Sequence, residues 1–205
     1  MHPKVLSPDA WDTVRSISHE RRLEPWILAG GTGLALQFGH RYSEDLDLFG
    51  YEPFDPLGLA ESLATVGRVR VQQAATDTLH VELNGMRVSF LRTETPLLFE
   101  GTPYRGLTVA DTRDIAVMKM IAIAGRGSRK DFVDLFFYLR AGGTLQGALS
   151  LLHHRFQEVD FNTYHLLKSL VYFEDAEEEP MPKMIRLVEW DSVKEFLIAE
   201  VRQLS

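Results

Sequence analysis

Apolar side chains recur along this chain at two spacings, every second residue in short runs before about residue 110 and every three to four residues in long runs after it. The run SPDAWDTVRSISHERRLE begins with Ser7 placed to cap and Pro8 at a first helical position, which predicts an opening helix. WILAG then reads as a short buried strand, Gly30 and Gly31 permit a tight turn, TGLALQFGH predicts a short helix, SEDLDLFG resumes strand character, and PLGLAESLATVG predicts another helix. Three β-like runs follow between residues 68 and 92. Among them LHVELNGMRVSFL is a hairpin whose Asn84-Gly85 pair suits a two-residue type I′ turn. That turn pairs Leu83 with Met86, Glu82 with Arg87 and His80 with Ser89.

From Asp111 the pattern is helical: DTRDIAVMKMIAIAGR, RKDFVDLFFYLRAG, TLQGALSLLHHRF, NTYHLLKSLVYF and DSVKEFLIAEVRQL. The chain therefore divides into a mixed αβ unit over residues 1–110 and a helical unit over residues 111–205. The acidic run EDAEEE, ahead of Pro180 and Pro182, is expected to be a solvated, loose connection.

Composition narrows the chemistry. With 205 residues, 45% of them hydrophobic, the chain can bury a substantial core. No apolar stretch approaches the roughly 20 residues that span a bilayer, and the N-terminus lacks the order of a signal peptide, so a cytoplasmic protein is expected. The absence of cysteine excludes disulfides, thiol nucleophiles and thiolate metal sites. A net charge of −7 argues against nonspecific coating of nucleic acid, although a local basic surface can still guide a phosphate chain.

Within SEDLDLF, Asp45 and Asp47 lie two apart on a strand, so both point to one face with Cα atoms roughly 6.5 Å apart. At about 5 Å between carboxylates and an effective dielectric near 20, their repulsion is roughly 3 kcal/mol. Such a half-buried pair wants a cation. Oxygen ligands without sulfur suit magnesium, which keeps waters and accepts substrate phosphates. A Gly-Gly turn opening a helix lets backbone N–H groups approach phosphate, with Thr32 and Ser43 able to add hydroxyl contacts. Taken singly, each feature reads better as a tight turn or an exposed acidic strand end; in this order they describe a site for a metal-bound nucleoside triphosphate.

The stretch LAGGTGLALQFGHRYSEDLDLF resembles the nucleotidyltransferase signature: an apolar residue, a Gly-Gly or Gly-Ser pair, a short helix, then two acids flanked by apolar residues. More narrowly, RYSEDLDLF, with Arg41, Ser43, Asp45 and Asp47 at alternate positions, is similar to the AbiEii/AbiGii toxin family. That family also carries a lysine-alanine-arginine helix and a basic Lys-Asp-x-x-Asp helix. Lys119, Ala122 and Arg126, then Arg129, Lys130, Asp131 and Asp134, stand in their places. The resemblance continues through YHLLKSLVYFEDAEEEPMPKMI and WDSVKEFL, where Tyr164, Tyr172 and Phe173 are expected to pack in the core.

The resemblance implies an α+β fold, a nucleotidyltransferase-like mixed β-sheet with helices in the N-terminal half and a helical C-terminal half completing the cleft. It implies an enzyme moving a nucleoside monophosphate from an NTP to an acceptor hydroxyl, with Mg2+ or Mn2+ as cofactor. The acceptor would be RNA, a tRNA end among the candidates, and the protein the toxin of a toxin–antitoxin pair with a cognate antitoxin as partner. Asp45 and Asp47 would hold metal, and Lys119, Asp131 and Asp134 would complete the catalytic group. Gly30, Gly31, Thr32, Arg41, Ser43, Lys119, Arg126 and Lys130 would bind nucleotide.

From the residues themselves, Lys119 in an apolar stretch is either paired and functional or snorkels to water, and Lys130 with Asp134 has the spacing of a surface i, i+4 pair. Many superfamily members place a third acid where this chain has Ser89, and a hydroxyl is a poor substitute for carboxylate on magnesium. Glu82 shares that face, although a cross-strand pair with Arg87 is its expected role; His80 is either a base for an acceptor hydroxyl or a structural histidine. Two alternatives thus stay open: a nucleotide- or partner-binding member that lost transfer with the third acid, and hydrolysis of phosphate esters by the same acid pair.

Overall fold

A computed structural model describes residues 1–19, 26–159 and 161–204. Ser7 Oγ accepts from the Ala10 amide at 3.1 Å and so caps helix α1 (Pro8–His19). The remainder of the predicted opening helix, residues 20–24, lies outside the described residues. Strand β1 (Ile27–Leu28) leads into α2 (Gly30–Phe38), which Gly39 terminates at φ +62°. Next come β2 (Asp45–Gly50) and α3 (Pro56–Ala64), the latter capped by the Asp55 carboxylate on the Leu57 and Gly58 amides.

β3 (Val69–Ala75), β4 (Thr78–Leu83) and β5 (Met86–Arg92) form a meander. The β4–β5 register is the one the Asn84-Gly85 turn predicts, and both turn residues have positive φ, +54° and +88°. The expected Glu82–Arg87 ion pair does not form. Arg70, opposite Glu82 on β3, takes that carboxylate, while Arg87 turns to Asp45, opposite it on β2. With an acid on either side, the arginine goes to the one facing the cleft.

A short hairpin, β6 (Thr102–Tyr104) and β7 (Leu107–Val109), completes a seven-stranded mixed sheet in the order β3-β4-β5-β2-β1-β7-β6. The β2–β5 and β1–β7 pairs are parallel. Leu46, Leu48, Leu79, Val81, Val88 and Phe90 point into one core with Val5, Val14, Ile17 and Leu63. The alternation that buries them turns Asp45, Asp47, His80 and Ser89 to the opposite face.

That opposite face is met by α4 (Thr112–Arg126) and α5 (Arg129–Arg140), followed by α6 (Leu145–Arg155), α7 (Thr163–Ser169), α8 (Glu174–Glu177) and α9 (Trp190–Arg202). Their own core centres on Met120, Phe132, Leu135, Leu152, Trp190 and Leu197. The fold is α+β, as expected. The acidic run is not a loose connection: it forms α8, with Ala176 buried and Arg129 donating to the carbonyls of Ala176 and Glu177 at 2.7 and 3.0 Å. Glu179 accepts from Ser128 Oγ and the Arg129 amide, each at 2.8 Å. Phe173 packs between Phe132 and Trp190, but Tyr164 and Tyr172 are exposed, contrary to the expectation of core packing. Among the described residues no helix is long and apolar enough to cross a membrane.

The turn gives a direct check on the register. Nothing crowds a Cβ at Gly85, so Gly85→Ala carries only the cost of its left-handed backbone. It is expected to lower unfolding free energy by about 1–2 kcal/mol in urea titration.

Candidate active site

The glycine turn is built around side chains rather than for its own sake. Gly30 has φ +59°, and a Cβ there would lie 2.4 Å from Asp47 Oδ2. A Cβ on Gly31 would lie 2.0 Å from Arg41 Nη2 and 3.2 Å from Asp134 Oδ2. Both positions are therefore closed to any larger residue while those groups stay in place. The Ala29 amide donates to the Asp47 carbonyl at 2.9 Å, fixing the turn against β2. Buried Thr32 meets Ser43 at 2.7 Å between hydroxyl oxygens and donates to the Asp45 carbonyl, so both hydroxyls brace the strand that carries the acids.

Asp45 and Asp47 share one face, half-buried, as the alternation requires. Arg87 Nε approaches Asp45 Oδ1 to 2.7 Å as an ion pair without hydrogen-bond alignment, leaving that buried oxygen with no hydrogen bond; Lys130 Nζ stands 3.8 Å from Oδ2. Beside Asp47 on β5 is Ser89, a neutral hydroxyl. Among the described residues no group of three or more acids and histidines is set to hold a metal ion. The donor set is two half-buried carboxylates on one face, which fits a hard ion that completes its shell with water and phosphate.

Behind the turn lies a buried ionic cluster. Asp134, with no solvent exposure, accepts from Arg41 Nε and Nη2 at 2.7 and 2.9 Å, pairs with Lys119 Nζ at 2.7 Å, and meets His40 Nε2 at 2.8 Å. Lys119 also donates to Asp131 at 2.7 Å, and Asp131 accepts from Arg126 Nε at 2.9 Å. Lys119 therefore does not snorkel, and the Lys130–Asp134 surface pair does not form because Asp134 faces inward. Burial opposes the charge on Asp134, but Arg41 and Lys119 outweigh it and hold the carboxyl well below its ordinary value. Lys119 is raised: burial pulls it down, and Asp134 and Asp131 pull it up by more. His40 is lowered by burial against the upward pull of Asp134.

The cleft between sheet and α4–α5 has two connected recesses. The larger, about 560 Å³, is lined by Phe49, Val88, Leu91 and Met118 with His80 and Ser89; the smaller, about 200 Å³, by Gly31, Thr32, Arg41, Ser43 and Lys183. Asp45, Asp47, Arg87, Lys119, Arg126 and Lys130 border both. The structure thus gathers Gly30, Gly31, Thr32, Ser43, both acids and the expected cations Lys119, Arg126 and Lys130 at one place. Arg41 and Asp134 form the support under it, and Asp131 holds Lys119 and Arg126. Sequence reasoning missed His40, whose only partner in this cluster is 94 residues away, and the attachment of Arg87 to Asp45.

A glycine turn at a helix start, paired acids on the next strand and a facing helical layer define a nucleotidyltransferase fold. Solved structures agree. MenT4, the nucleotidyltransferase toxin Rv2826c of Mycobacterium tuberculosis H37Rv, superposes with TM-score 0.58 at 16% identity over 97% of this chain and 87% of its own. JHP933 of Helicobacter pylori gives 0.57 at 16% identity over 99% and 90%. The profile described as "Nucleotidyl transferase AbiEii toxin, Type IV TA system" matches residues 13–203, and the chain belongs to that family of nucleotidyltransferase enzymes. An uncharacterized protein of Aquifex aeolicus (strain VF5) is 39% identical over 183 residues, 87% of each chain.

Removing the carboxylate of Asp134 leaves Arg41 and Lys119 buried without their common partner, so Asp134→Ala is expected to cost about 3–5 kcal/mol in urea unfolding. The His40 shift has a defined sign. Its folded pKa lies below 6.5, so its contribution is complete above that pH and is lost as pH falls from 6.5 toward the folded value. Urea midpoints should decline between about pH 7.5 and 5, and His40→Gln should make that decline shallower.

Proposed function

We propose that this enzyme takes an NTP together with Mg2+ or Mn2+ and transfers the nucleoside monophosphate to a hydroxyl of RNA, a tRNA end being one acceptor of that kind. The biological setting would be toxicity restrained by a cognate antitoxin, as the family's toxin–antitoxin description suggests. The observation that carries this reading is the convergence of Asp45 and Asp47 on the boundary shared by two recesses.

Asp45 and Asp47 would hold the ion. Bound there, it would neutralise phosphate charge and polarise the α-phosphate. The small recess suits the triphosphate tail: the start of α2 at Gly31 and Thr32 lines it, Lys183 adds charge, and Ser43, whose hydroxyl is spent on Thr32, keeps that wall in place. Lys119 spends two donors on Asp131 and Asp134, and the third remains for a phosphate oxygen as charge develops. Arg41 has its donors on Asp134, the Tyr42 carbonyl and Ser43, so its part is to position Ser43 and the turn. The larger recess offers apolar walls to a base. Arg87, Arg126 and Lys130, all substantially exposed, ring the cleft with positive charge that suits a phosphodiester acceptor despite the acidic chain.

The test is to incubate the protein with total RNA, magnesium and each radiolabelled triphosphate in turn. Labelled RNA and released pyrophosphate are expected, and Asp47→Ala should abolish both while the protein keeps its fold by circular dichroism. Monophosphate released without acceptor would indicate hydrolysis instead, and undiminished labelling by the variant would remove Asp47 from the mechanism.

A further inference from the structure

Three strands set Asp47, Ser89 and His80 abreast. Asp47 on β2 stands beside Ser89 on β5, and Ser89 beside His80 on β4. Adjacent strands are about 4.8 Å apart and register neighbours point to the same face, so this row runs outward from the metal-binding acids along one wall of the larger recess. Ser89 Oγ and His80 Nδ1 lie 3.0 Å apart, which orients the ring and leaves the Nε2 edge for another partner.

A packing role fits poorly. Leu79, Val81 and Leu83 on the same strand are fully buried in the sheet core, whereas His80 is half-buried on the other side and borders the cavity. The charged residue two along on its own strand and the one diagonal to it on β5 are already engaged, Glu82 by Arg70 and Arg87 by Asp45, so neither claims the imidazole. What the row lacks is a carboxylate at Ser89 to help deprotonate an acceptor hydroxyl.

We propose that His80 is the proton acceptor for the attacking hydroxyl and that Ser89 is its positioning residue, an assignment that rests on nucleotidyl transfer being the reaction. The acceptor O–H gives its proton to His80 Nε2 as the oxygen forms a bond to the α-phosphorus. The bond from that phosphorus to the bridging oxygen breaks, pyrophosphate leaves with the electron pair, and the imidazolium returns its proton to water. No further reactant is needed.

The experiment compares wild type, His80→Ala, His80→Gln and Ser89→Ala in RNA labelling, alongside binding of a fluorescent NTP analogue and thermal melting. Both His80 variants are expected to lose roughly 100-fold or more in kcat. Their analogue affinity should stay within about twofold, as for a group that acts only in the transition state. Added imidazole should restore His80→Ala, where it has room to bind, and leave His80→Gln inactive. Ser89→Ala should lose activity without imidazole rescue. An active wild type whose His80 variants label RNA at the same rate overturns the assignment alone, as does loss of activity that tracks loss of nucleotide binding or of fold in both variants. A wild type that transfers nothing overturns the assignment together with the reading beneath it.

Discussion

Asp134 sits without solvent contact beneath the glycine turn, where Arg41, Lys119 and His40 reach it from two separate stretches of the chain. A carboxylate in that position is costly to desolvate and tolerable only when its partners are aligned and its oxygens occupied. Here Oδ1 takes Arg41 and His40, and Oδ2 takes Arg41 and Lys119, so the condition is met. The arrangement ties α5, which carries Asp134, to α4 through Lys119 and to the segment after α2 through Arg41. It also explains why Gly31 has no side chain: the Arg41 guanidinium occupies the space, and two hydrogen bonds keep it from moving aside.

Strand β2 transmits this order to the chemistry. Its even positions, Leu46 and Leu48, are locked in the sheet core, and its odd positions, Asp45 and Asp47, are thereby fixed to the cleft. Thr32 bonds to the Asp45 carbonyl and Ala29 to that of Asp47, so the turn holds the backbone of each acid while leaving the carboxylates to the cavity. A register slip of one residue would bury both carboxylates and expose two leucines, so the packing of the core and the placing of the acids are a single requirement.

Much of this was legible in the sequence because it is local. Alternation placed β2, the Asn84-Gly85 pair set the β4–β5 register, and glycines followed by Asp-Leu-Asp-Leu marked the site. The β6–β7 hairpin was not legible, since three-residue strands are too short to display a period. Nor was the choice of partner among charges. Arg87 has acids on both neighbouring strands, and only the strand order, which joins β5 to β2, shows that Asp45 is within its reach. The same holds for Lys119 and Asp134: helical spacing places them on faces but says nothing of which face turns inward. EDAEEE was misread for the opposite reason, because composition alone ignores that Arg129 and Ser128 supply donors to it.

Two grades of ion pair coexist within this cleft, and the difference between them orders the site. Those that Asp134 makes with Arg41 and Lys119, and that Asp131 makes with Lys119, are buried, many-membered and closed, so exchanging a partner would strand a charge in low dielectric. Those on Asp45 are open: the Arg87 side chain is 62% exposed and that of Lys130 44%. An exposed pair is typically worth about 0.2–1 kcal/mol, so water readily replaces either cation. The permanent charges thus shape the turn, while the exchangeable ones keep Asp45 neutralised yet available and leave two cations free for phosphate whenever Asp45 takes another partner.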